Sequence, residues 1–285
     1  MSITLIQERL ASQKFISKQE EHFALRQIVQ EIALCSLARS NFFKVAAFQG
    51  GTCLRILYTL ERYSEDLDFV SRKPEPGFSW KTYFQNLKEE FSIYGMNIAV
   101  TEKSKTSEAV RKAFLKEESV GYLLSFGHIK EWKTERKINI KIEIDTNPPK
   151  GSAFEVKYHD FPQDFSVVVQ DLPSLFAGKL HALLCRSYTK GRDWYDFLWY
   201  VARSAKVNYE FLASAIYQQG PLRGEKLKID KDWLITNLDQ AIEKADWKAL
   251  ADDIRRFLPT KNQQNIELWN QSFYKDRLKK LDGYL

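Results

Sequence analysis

The clearest hydrophobic pattern in the chain is a strict alternation near its middle. Between positions 137 and 145, isoleucine takes every second place and polar residues take the places between. Because successive side chains of a β-strand point to opposite faces, the isoleucines share one face and the polar residues the other. The polar face carries Asn139, Lys141, Glu143 and Asp145. This segment is therefore predicted to be a strand with one buried face.

Shorter apolar runs and helical spacing predict the other elements of the first part of the chain. Further strands are predicted at 44–48, 66–70, 97–101, 120–128 and 165–169. A capping box from Ser17 to Glu20 predicts a helix that continues to about Ala38. Additional helices are predicted at 52–60 and 80–91, and the charged segment 102–118 is predicted to be a helix or an exposed loop.

After Pro173 the spacing of apolar residues is helical throughout. Helices are predicted near 173–187, 191–204, 208–217, 231–244, 246–257 and 262–282. Strands with helices in the first part and helices alone in the second predict an α+β fold. We expect an α/β domain over residues 1–172 with an N-terminal helix, and a helical domain over residues 173–285.

Composition adds bounds on the class of protein. The chain has 285 residues, of which 44% are hydrophobic and 28% charged, so it can bury a substantial core as a soluble globular protein. Its formal net charge of +6 fits a nucleic-acid or polyphosphate partner, although many basic proteins bind neither. The charge therefore favours such a partner only weakly.

Cysteine usage and hydropathy indicate the compartment. Cys35, Cys53 and Cys185 lie far apart and form no CxxC pair, which argues against a disulfide framework and against a zinc site. The first residues lack the apolar core of a signal peptide, and no apolar run approaches 18 residues. We therefore expect a cytoplasmic protein without a membrane partner.

The strongest candidate chemistry lies between positions 48 and 68. A Gly50-Gly51-Thr52 turn opens a short predicted helix, and backbone N–H groups at such a turn can bind phosphate. Asp66 and Asp68 follow the helix, and acids two places apart on a strand point to the same side. Paired carboxylates hold divalent cations through their oxygens. Together these features predict a site for a metal-bound nucleotide.

A third acid is available on the alternating strand. Glu143 and Asp145 both lie on its polar face, and either carboxylate can complete a metal site with Asp66 and Asp68. The alternative interpretation is that this face is simply the solvated side of an edge strand. The spacing alone leaves both interpretations open.

Two charged residues of the helical part are further candidates. Lys179 stands among apolar residues within a predicted helix, where a lysine near a nucleotide can neutralise triphosphate oxygens. A snorkelling surface lysine is the alternative. Asp193 follows Gly191-Arg192 in the first turn of the next helix, with Asp196 one turn later. Asp193 can orient Lys179 or a nucleotide group, or it can simply cap its helix.

Taken together, these motifs resemble a known family. The Gly-Gly-Thr turn, the helix and the Ser-Glu-Asp-Leu-Asp run resemble the nucleotidyltransferase fold of the DNA polymerase β type. With the later Gly-Lys-Leu and Lys-Gly-Arg-Asp-x-Tyr-Asp runs, the chain looks like the AbiEii/AbiGii toxins of type IV toxin–antitoxin and abortive-infection systems. The resemblance covers roughly residues 44–205.

The resemblance implies roles for the residues of the first part. Gly50, Gly51 and Thr52 would bind the nucleotide phosphates, and Asp66 and Asp68 would bind two Mg²⁺ ions. Glu143 matches the family's third acid, which favours it over Asp145 as metal ligand or base. Thr52 stands where the wider superfamily often has Ser, and Glu143 where Asp is commoner.

The resemblance also implies a reaction. Lys179 and Asp193 match the family's later motifs, and Lys179 would offset phosphate charge. We expect Mg²⁺-dependent transfer of a nucleotide from an NTP to an acceptor, most simply the 3′ end of tRNA, with inhibition of translation and a cognate antitoxin as partner. The alternatives are nucleotidylation of a protein or small molecule, and a toxin that binds GTP or another nucleotide without transfer.

Ser64 is a candidate regulatory residue because it precedes Asp66 by two places. A phosphate on Ser64 would add negative charge beside the metal carboxylates and oppose nucleotide binding. The alternative is a turn serine whose hydroxyl bonds to its own backbone.

Overall fold

The structure of the protein, a computed structural model, describes residues 2–102, 119–126 and 138–285. The chain divides into two compact units. The first unit comprises Met1–Thr59, Tyr63–Pro148 and Phe154–Val169, and the second comprises Leu60–Arg62, Pro149–Ala153 and Gln170–Leu285. The predicted segment 102–118, apart from its first residue, lies outside the described residues.

The first unit contains a mixed sheet and helices. Its helices are α1 (Ser2–Ala11), α2 (Lys18–Arg39), α3 (Gly50–Leu57) and α4 (Lys81–Ile93). Its strands are β1 (Ala46–Gln49), β2 (Leu67–Ser71), β3 (Ile98–Glu102), β4 (Ser119–Phe126), β5 (Ile138–Asp145), β6 (Phe154–His159) and β7 (Phe165–Gln170). The elements predicted here are confirmed to within a few residues at their ends. Of the strand predicted at 120–128, the last two residues lie outside the described part.

The strands form one sheet in the order β3-β4-β5-β2-β1-β7-β6. The strand β2 pairs in parallel with β5 and antiparallel with β1, and β1 pairs in parallel with β7. Parallel and antiparallel neighbours in one sheet, flanked by helices, confirm the predicted α+β class. The central position of β2 and β5 fixes the acids that they carry on a rigid support.

The alternation of β5 is confirmed by burial. Ile140, Ile142 and Ile144 are fully buried and Ile138 nearly so, whereas the polar positions between them are partly or fully exposed. Each buried isoleucine stabilises the fold by about 1.5–3 kcal/mol relative to an exposed one. Because a shift of one residue would expose all four, this burial fixes the register of the acids on the opposite face.

Two elements of the first unit were not predicted. The strand β6 was missed because its outward positions are apolar: Val156 and Tyr158 are exposed, so the usual alternation of polar and apolar residues is absent. The helix α1 buries only Ile6 among the residues whose side chains the structure describes there, too little for a periodic pattern.

The helix α2 begins at the predicted cap. The Ser17 hydroxyl accepts a hydrogen bond from the Glu20 backbone N–H at 3.2 Å. The Glu20 carboxylate accepts from the backbone N–H of Ile16 at 2.9 Å, one residue before the partner expected in a capping box. The helix start is confirmed, and both interactions satisfy N–H groups at the helix entrance.

The second unit is helical apart from short segments. Its helices are α5 (Leu172–Cys185), α6 (Gly191–Ala202), α7 (Tyr209–Gln218), α8 (Lys231–Lys244), α9 (Trp247–Arg255) and α10 (Gln271–Asp282). The single helix predicted at 262–282 is wrong. A 3₁₀-helix spans Thr260–Leu268, and Asn270 then caps α10 by accepting from the Phe273 N–H at 2.9 Å. An asparagine side chain that competes for backbone groups favours such a cap over a helix interior.

Aromatic packing fixes the core of the second unit. Trp247 stacks on Tyr274 at a ring-centroid distance of 4.0 Å, and Trp194 meets both rings edge to face. Gly191, the first residue of α6, lies against α9, where an added Cβ would be 2.1 Å from the Leu250 carbonyl oxygen. Only glycine permits this approach, which positions the Arg-Asp motif of α6.

In the portion of the chain that the structure describes, no helix is both long and apolar enough to cross a membrane.

Candidate active site

The glycine turn brings the start of α3 against a carboxylate. Gly50 has a φ of +80°, and a Cβ at this position would lie 2.8 Å from Oδ2 of Asp68. Gln49 and Asp68 are partners across the β1–β2 pair, so the ladder holds the two segments together. Gly50 is therefore required twice, for its backbone conformation and for the close approach of the acid.

Thr52 connects the same helix to the segment that carries the first acid. It is only 1% exposed, and its hydroxyl donates a hydrogen bond to the Asp66 carbonyl oxygen. In this structure the hydroxyl thus fixes the backbone at Asp66. Gly51, in the first turn of α3, is partly exposed. The prediction that Thr52 itself binds phosphate stays a prediction.

The residues just before Asp66 are held by α2. The Gln30 side-chain amide donates to the Ser64 carbonyl oxygen at 3.3 Å, and Arg26 forms an ion pair with Glu65. These contacts anchor the segment on a long, well-buried helix. The position of Asp66 is thereby set by packing rather than by a free loop.

The sheet register places one of the two candidate third acids beside Asp68. In the parallel β2–β5 pair, Asp68 is the partner of Glu143, whereas Asp145 is the partner of Val70. Neighbouring strands lie about 4.8 Å apart, so Asp68 and Glu143 start from adjacent backbone positions. Asp145 instead accepts a hydrogen bond from the Asn147 N–H at 3.1 Å, which closes a turn. This register supports Glu143.

Lys141 completes a group that we call the carboxylate cluster: Asp66, Asp68, Lys141 and Glu143. Lys141 forms an ion pair with Glu143 on the same face of β5. Burial opposes the charge of Lys141, but the carboxylates, Glu143 first and then Asp68 and Asp66, outweigh it and raise the pKa of Lys141. The ammonium group therefore interacts with all three acids. Sequence reasoning placed Lys141 on this face without giving it a role.

The carboxylate cluster has the chemistry of a site for a hard cation. Its oxygen donors are those that Mg²⁺ prefers, and all three acids are partly exposed and so open to a ligand. Within the described ranges, no three acidic, histidine or cysteine side chains converge as a preformed metal site. The residues fit Mg²⁺ by type and by neighbourhood, with Lys141 as their counter-charge in this structure.

A second charged group, entirely within the second unit, surrounds Lys179. Lys179 Nζ lies 2.7 Å from Asp193 Oδ1 and 2.8 Å from Asp196 Oδ2, and its side chain is 15% exposed. The alternative of a snorkelling surface lysine is therefore wrong. With Arg62 and Arg186, these residues form what we call the ionic network: Arg62, Lys179, Arg186, Asp193 and Asp196.

The deepest pair of the ionic network is Arg62 with Asp196. Nε and Nη2 of Arg62 donate to the two carboxylate oxygens of Asp196 at 2.6 and 2.7 Å, and both side chains are buried. Burial opposes the ionisation of Asp196, but Arg62 and then Lys179 outweigh it and lower the pKa of Asp196. A bidentate, doubly paired carboxylate of this kind holds its geometry firmly.

Asp193 shares Lys179 with Asp196. Its second oxygen accepts from Nη1 of Arg186 at 2.6 Å. Burial disfavours its charged form, but Lys179 and Arg186 more than compensate and lower the pKa of Asp193 to about 2. The contact with Lys179 that sequence reasoning expected is present. Asp193 uses its carboxylate for these cations, so helix capping does not account for its position.

Sequence reasoning missed two members of the ionic network and gave Asp196 no role. Asp196 follows Asp193 by three places in α6, and residues three apart share one face of a helix. That spacing predicts that Asp193 and Asp196 contact the same partner. Arg62 belongs to the Arg-x-Ser-Glu-Asp-Leu-Asp run that resembles the family but was given no role, and Arg186 offered no comparable local signal. The structure thus places the predicted acids in the first unit, with Asp68 beside Glu143, and it brings Lys179 and Asp193 together in the second.

Comparisons with known proteins agree with these motifs. The chain matches a family model described as "Nucleotidyl transferase AbiEii toxin, Type IV TA system" over residues 32–274. A search of curated proteins gave no match.

Two solved structures from Helicobacter pylori are similar in fold. One is a proposed nucleotidyltransferase, with a TM-score of 0.54 and 16% identity over 94% of this chain and 95% of that chain. The other is the protein JHP933, with a TM-score of 0.49 and 15% identity over 95% of this chain and 91% of that chain. At such identity the first likeness supports the fold alone. The family match extends over most of the chain, and the protein accordingly belongs to the AbiEii family of nucleotidyltransferase toxins of type IV toxin–antitoxin systems.

Proposed function

We propose that this nucleotidyltransferase uses Mg²⁺ to transfer a nucleoside monophosphate from an NTP to the 3′ end of tRNA, releasing pyrophosphate and blocking translation. The observation that carries the proposal is the register of Asp68 with Glu143 beside the Gly50 turn. This register supports the proposal because a helix start of the kind that binds phosphate lies beside acids of the kind that bind cations.

Asp66, Asp68 and Glu143 are the residues that would hold the two Mg²⁺ ions expected for this reaction. Bound Mg²⁺ supplies charge neutralisation for the triphosphate and a lowered pKa for the attacking hydroxyl. Glu143 can also accept the proton of that hydroxyl, because its carboxylate is only partly buried. Asp68 and Glu143 lie on central strands, and Asp66 directly precedes one and is held by Thr52, so little reorganisation is needed.

The start of α3 is the proposed binding site for the nucleotide phosphates. Backbone N–H groups of the first turn carry no intrahelical partner and attract phosphate oxygens. Gly50 and Gly51 keep side chains away from this approach, and Thr52 holds the turn to Asp66 through its hydroxyl. The role that we propose for Thr52 is therefore positioning as well as phosphate binding.

Lys179 supplies positive charge that the ionic network orients. Two carboxylates hold its ammonium group through short, charge-assisted hydrogen bonds, which limits its rotamers. A point charge fixed before substrate arrives stabilises developing negative charge on phosphate without reorganisation. Asp193 and Asp196 act through Lys179 in this scheme.

The charge of the chain and its family support an RNA acceptor. The net charge of +6 favours a polyanion, and among polyanions an RNA end offers the hydroxyl that the reaction needs. Membership of a toxin family supports a target whose modification stops growth. It also supports a cognate antitoxin as a partner in the cytoplasm.

The test is incubation of the full chain with tRNA, Mg²⁺ and each α-labelled NTP in turn. We expect RNase-sensitive label from at least one NTP, and none from the Asp68→Asn variant or after chelation of Mg²⁺. Label that resists RNase but is lost with protease or passes a size filter would redirect the proposal to a protein or small-molecule acceptor. Nucleotide binding without any transfer would overturn it.

Ser64 is the proposed silencing position. It lies in the segment that α2 holds, directly before Glu65 and two residues before Asp66. A phosphate there would compete for Arg26 and place negative charge beside the carboxylate cluster. We expect Ser64→Asp to reduce transfer at least about tenfold, and Ser64→Ala to leave it unchanged. A fully active Ser64→Asp variant would remove this proposal.

A further inference from the structure

The segment 63–66, which leads into β2, is held residue by residue. Helices α2 and α3 supply a side-chain partner for each of its residues. Ser64 and Glu65 are held by α2, and Asp66 is held by α3. Tyr63 is the remaining residue of the segment, and the roles proposed above do not involve its partners.

Arg55 and Phe23 hold the ring of Tyr63. The guanidinium carbon of Arg55 lies over this ring, 4.9 Å from its centroid. Phe23 stacks on the same ring at a centroid distance of 4.5 Å, with only 3° between the two planes. A cation over an aromatic face and a pair of stacked rings are both attractive arrangements. Tyr63 is thus attached to α3 through Arg55 and to α2 through Phe23.

Arg55 also connects α3 directly to α2. Its Nε donates a hydrogen bond to Oε1 of Gln27 at 2.9 Å. Gln27 in turn donates through Nε2 to the Glu31 carboxylate at 2.9 Å, and the Glu31 side chain is only 2% exposed. Because both ends of the Gln27 amide are used, the acceptor that it presents to Arg55 is fixed in position. Arg55 is therefore the residue at which α2, α3 and Tyr63 meet.

The spacing of these contacts shows how α3 meets the segment 63–66. Thr52 and Arg55 are three places apart in α3, so they share one face of the helix. Their partners, Asp66 and Tyr63, are also three places apart but follow in the reverse order. The helix therefore runs antiparallel to the segment and holds it at both ends, with Asp66 at the end nearest the glycine turn.

We propose that Arg55 is a positioning residue for nucleotidyl transfer, which fixes Asp66 relative to the start of α3. The proposal rests on the roles proposed above for Asp66 in Mg²⁺ binding and for the helix start in phosphate binding. Without the Arg55 side chain, Thr52 would still hold Asp66, but Tyr63 would lose its contact with α3. Residues that support metal ligands from behind commonly contribute about 10–100-fold to metal affinity or activity.

The experiment compares Arg55→Met with the wild type in the full chain. Methionine keeps an unbranched apolar side chain but provides neither a cation for Tyr63 nor a donor for Gln27. We expect kcat for nucleotide transfer to fall about tenfold and the Kd for Mn²⁺, measured by calorimetry, to rise about tenfold. The KM for NTP should stay within about twofold, because the phosphate-binding N–H groups belong to the backbone of the first turn of α3.

The matched control is Arg9→Met, in the same unit. Arg9 is also partly exposed, and its guanidinium carbon lies 5.0 Å from the centroid of the Phe161 ring. This variant loses the same kind of contact away from Asp66, so its kcat and its Kd for Mn²⁺ should equal those of the wild type. If Arg55 only stabilises the fold, both variants will melt at lower temperature with an unchanged Kd for Mn²⁺, and this result would overturn the proposal.

The outcome for Arg55 can be told apart from the outcome for the proposed function. A raised Kd for Mn²⁺ in Arg55→Met but not in Arg9→Met supports the role of Arg55 even if no NTP labels tRNA. Labelled tRNA with a normal kcat in Arg55→Met rejects this role while the proposed function stands. If Arg55→Met does not fold, Arg55→Lys decides. It keeps a cation for Tyr63 but lacks the planar fork of arginine, so its Kd for Mn²⁺ should rise about threefold, and an unchanged Kd would overturn the proposal.

Discussion

The carboxylate cluster and the ionic network are both groups of charges, but they are built in opposite ways. In the carboxylate cluster, three acids are partly exposed, and all three act on the charge of Lys141. In the ionic network, two buried acids are surrounded by three cations, and each carboxylate oxygen has a cationic partner. The acids of the carboxylate cluster are open to solvent, whereas those of the ionic network are buried with their cationic partners.

This difference predicts how each group responds to mutation. Like charges held together near solvent cost stability, and the cost is relieved when a cation binds. Buried opposite charges gain little net stability but fix geometry, and they tolerate no loss of a partner. We therefore expect the carboxylate cluster to be sensitive in activity but not in stability, and the ionic network to be sensitive in both.

The largest expected effect is the loss of activity in Asp68→Asn. Transfer of nucleotide should fall on the order of 10³-fold, because a metal-binding carboxylate is replaced by a neutral amide. The free energy of unfolding should change by less than about 1 kcal/mol or increase, since one like charge is removed. Labelled-NTP transfer and urea unfolding measure the two quantities. A strongly destabilised Asp68→Asn variant would contradict the expected difference between the carboxylate cluster and the ionic network.

The next effect is the loss of stability in Asp196→Asn. Removing one partner of a buried pair leaves the Arg62 guanidinium buried without its counter-charge, which costs about 3 kcal/mol. Urea unfolding should show this loss, with transfer reduced in the protein that remains folded. The matched control is Asp252→Asn, whose partner Arg255 lies 3.9 Å away at an exposed position, and it should cost less than about 0.5 kcal/mol. Equal losses in both variants would contradict the prediction.

Acid should weaken the ionic network in a defined window. The pKa of Asp193 is lowered from 3.8 to about 2, so its charged form stabilises the fold fully above the unfolded pKa. That contribution, about 2 kcal/mol, is lost as the pH falls from about 4 to about 2. Unfolding free energies of wild type and Asp193→Asn should therefore differ at pH 6 and converge near pH 2. A constant difference across this range would show that Asp193 titrates normally.

The carboxylate cluster was largely predictable from sequence, and the reason is physical. The alternation of β5 fixes which face Lys141 and Glu143 share, and the sequence predicts Asp66 and Asp68 at the start of β2, where Asp66 directly precedes the strand and Asp68 lies on it. Each of these signals is local. The register that puts Glu143 rather than Asp145 beside Asp68 is a property of the assembled sheet, and the residues alone left that choice open.

The ionic network was only half predictable for the same reason. Arg62 and Asp196 are 134 positions apart, so their pairing follows from tertiary packing and leaves no local pattern. The break before α10 was missed because the preceding 3₁₀-helix keeps a helix-like sequence, while the Asn270 cap decides where α10 begins. The strand β6 escaped prediction because exposed Val156 and Tyr158 conceal its alternation.

The smallest expected effect is that of Lys141→Gln. It tests the contrast between the carboxylate cluster and the ionic network most directly, because Lys141 is the cation of the carboxylate cluster. Lys141→Gln should lower the Mg²⁺ concentration for half-maximal transfer about fivefold, since removing a nearby positive charge favours the cation by about 1 kcal/mol. The matched control is Lys157→Gln, which also removes a lysine paired with an acid two places away on a strand. A titration of Mn²⁺ binding by calorimetry provides a readout independent of transfer. If Lys141→Gln instead raises the Mg²⁺ concentration for half-maximal transfer, Lys141 orders the acids and does not compete with the metal. The carboxylate cluster would then resemble the ionic network, in which cations fix the positions of the acids.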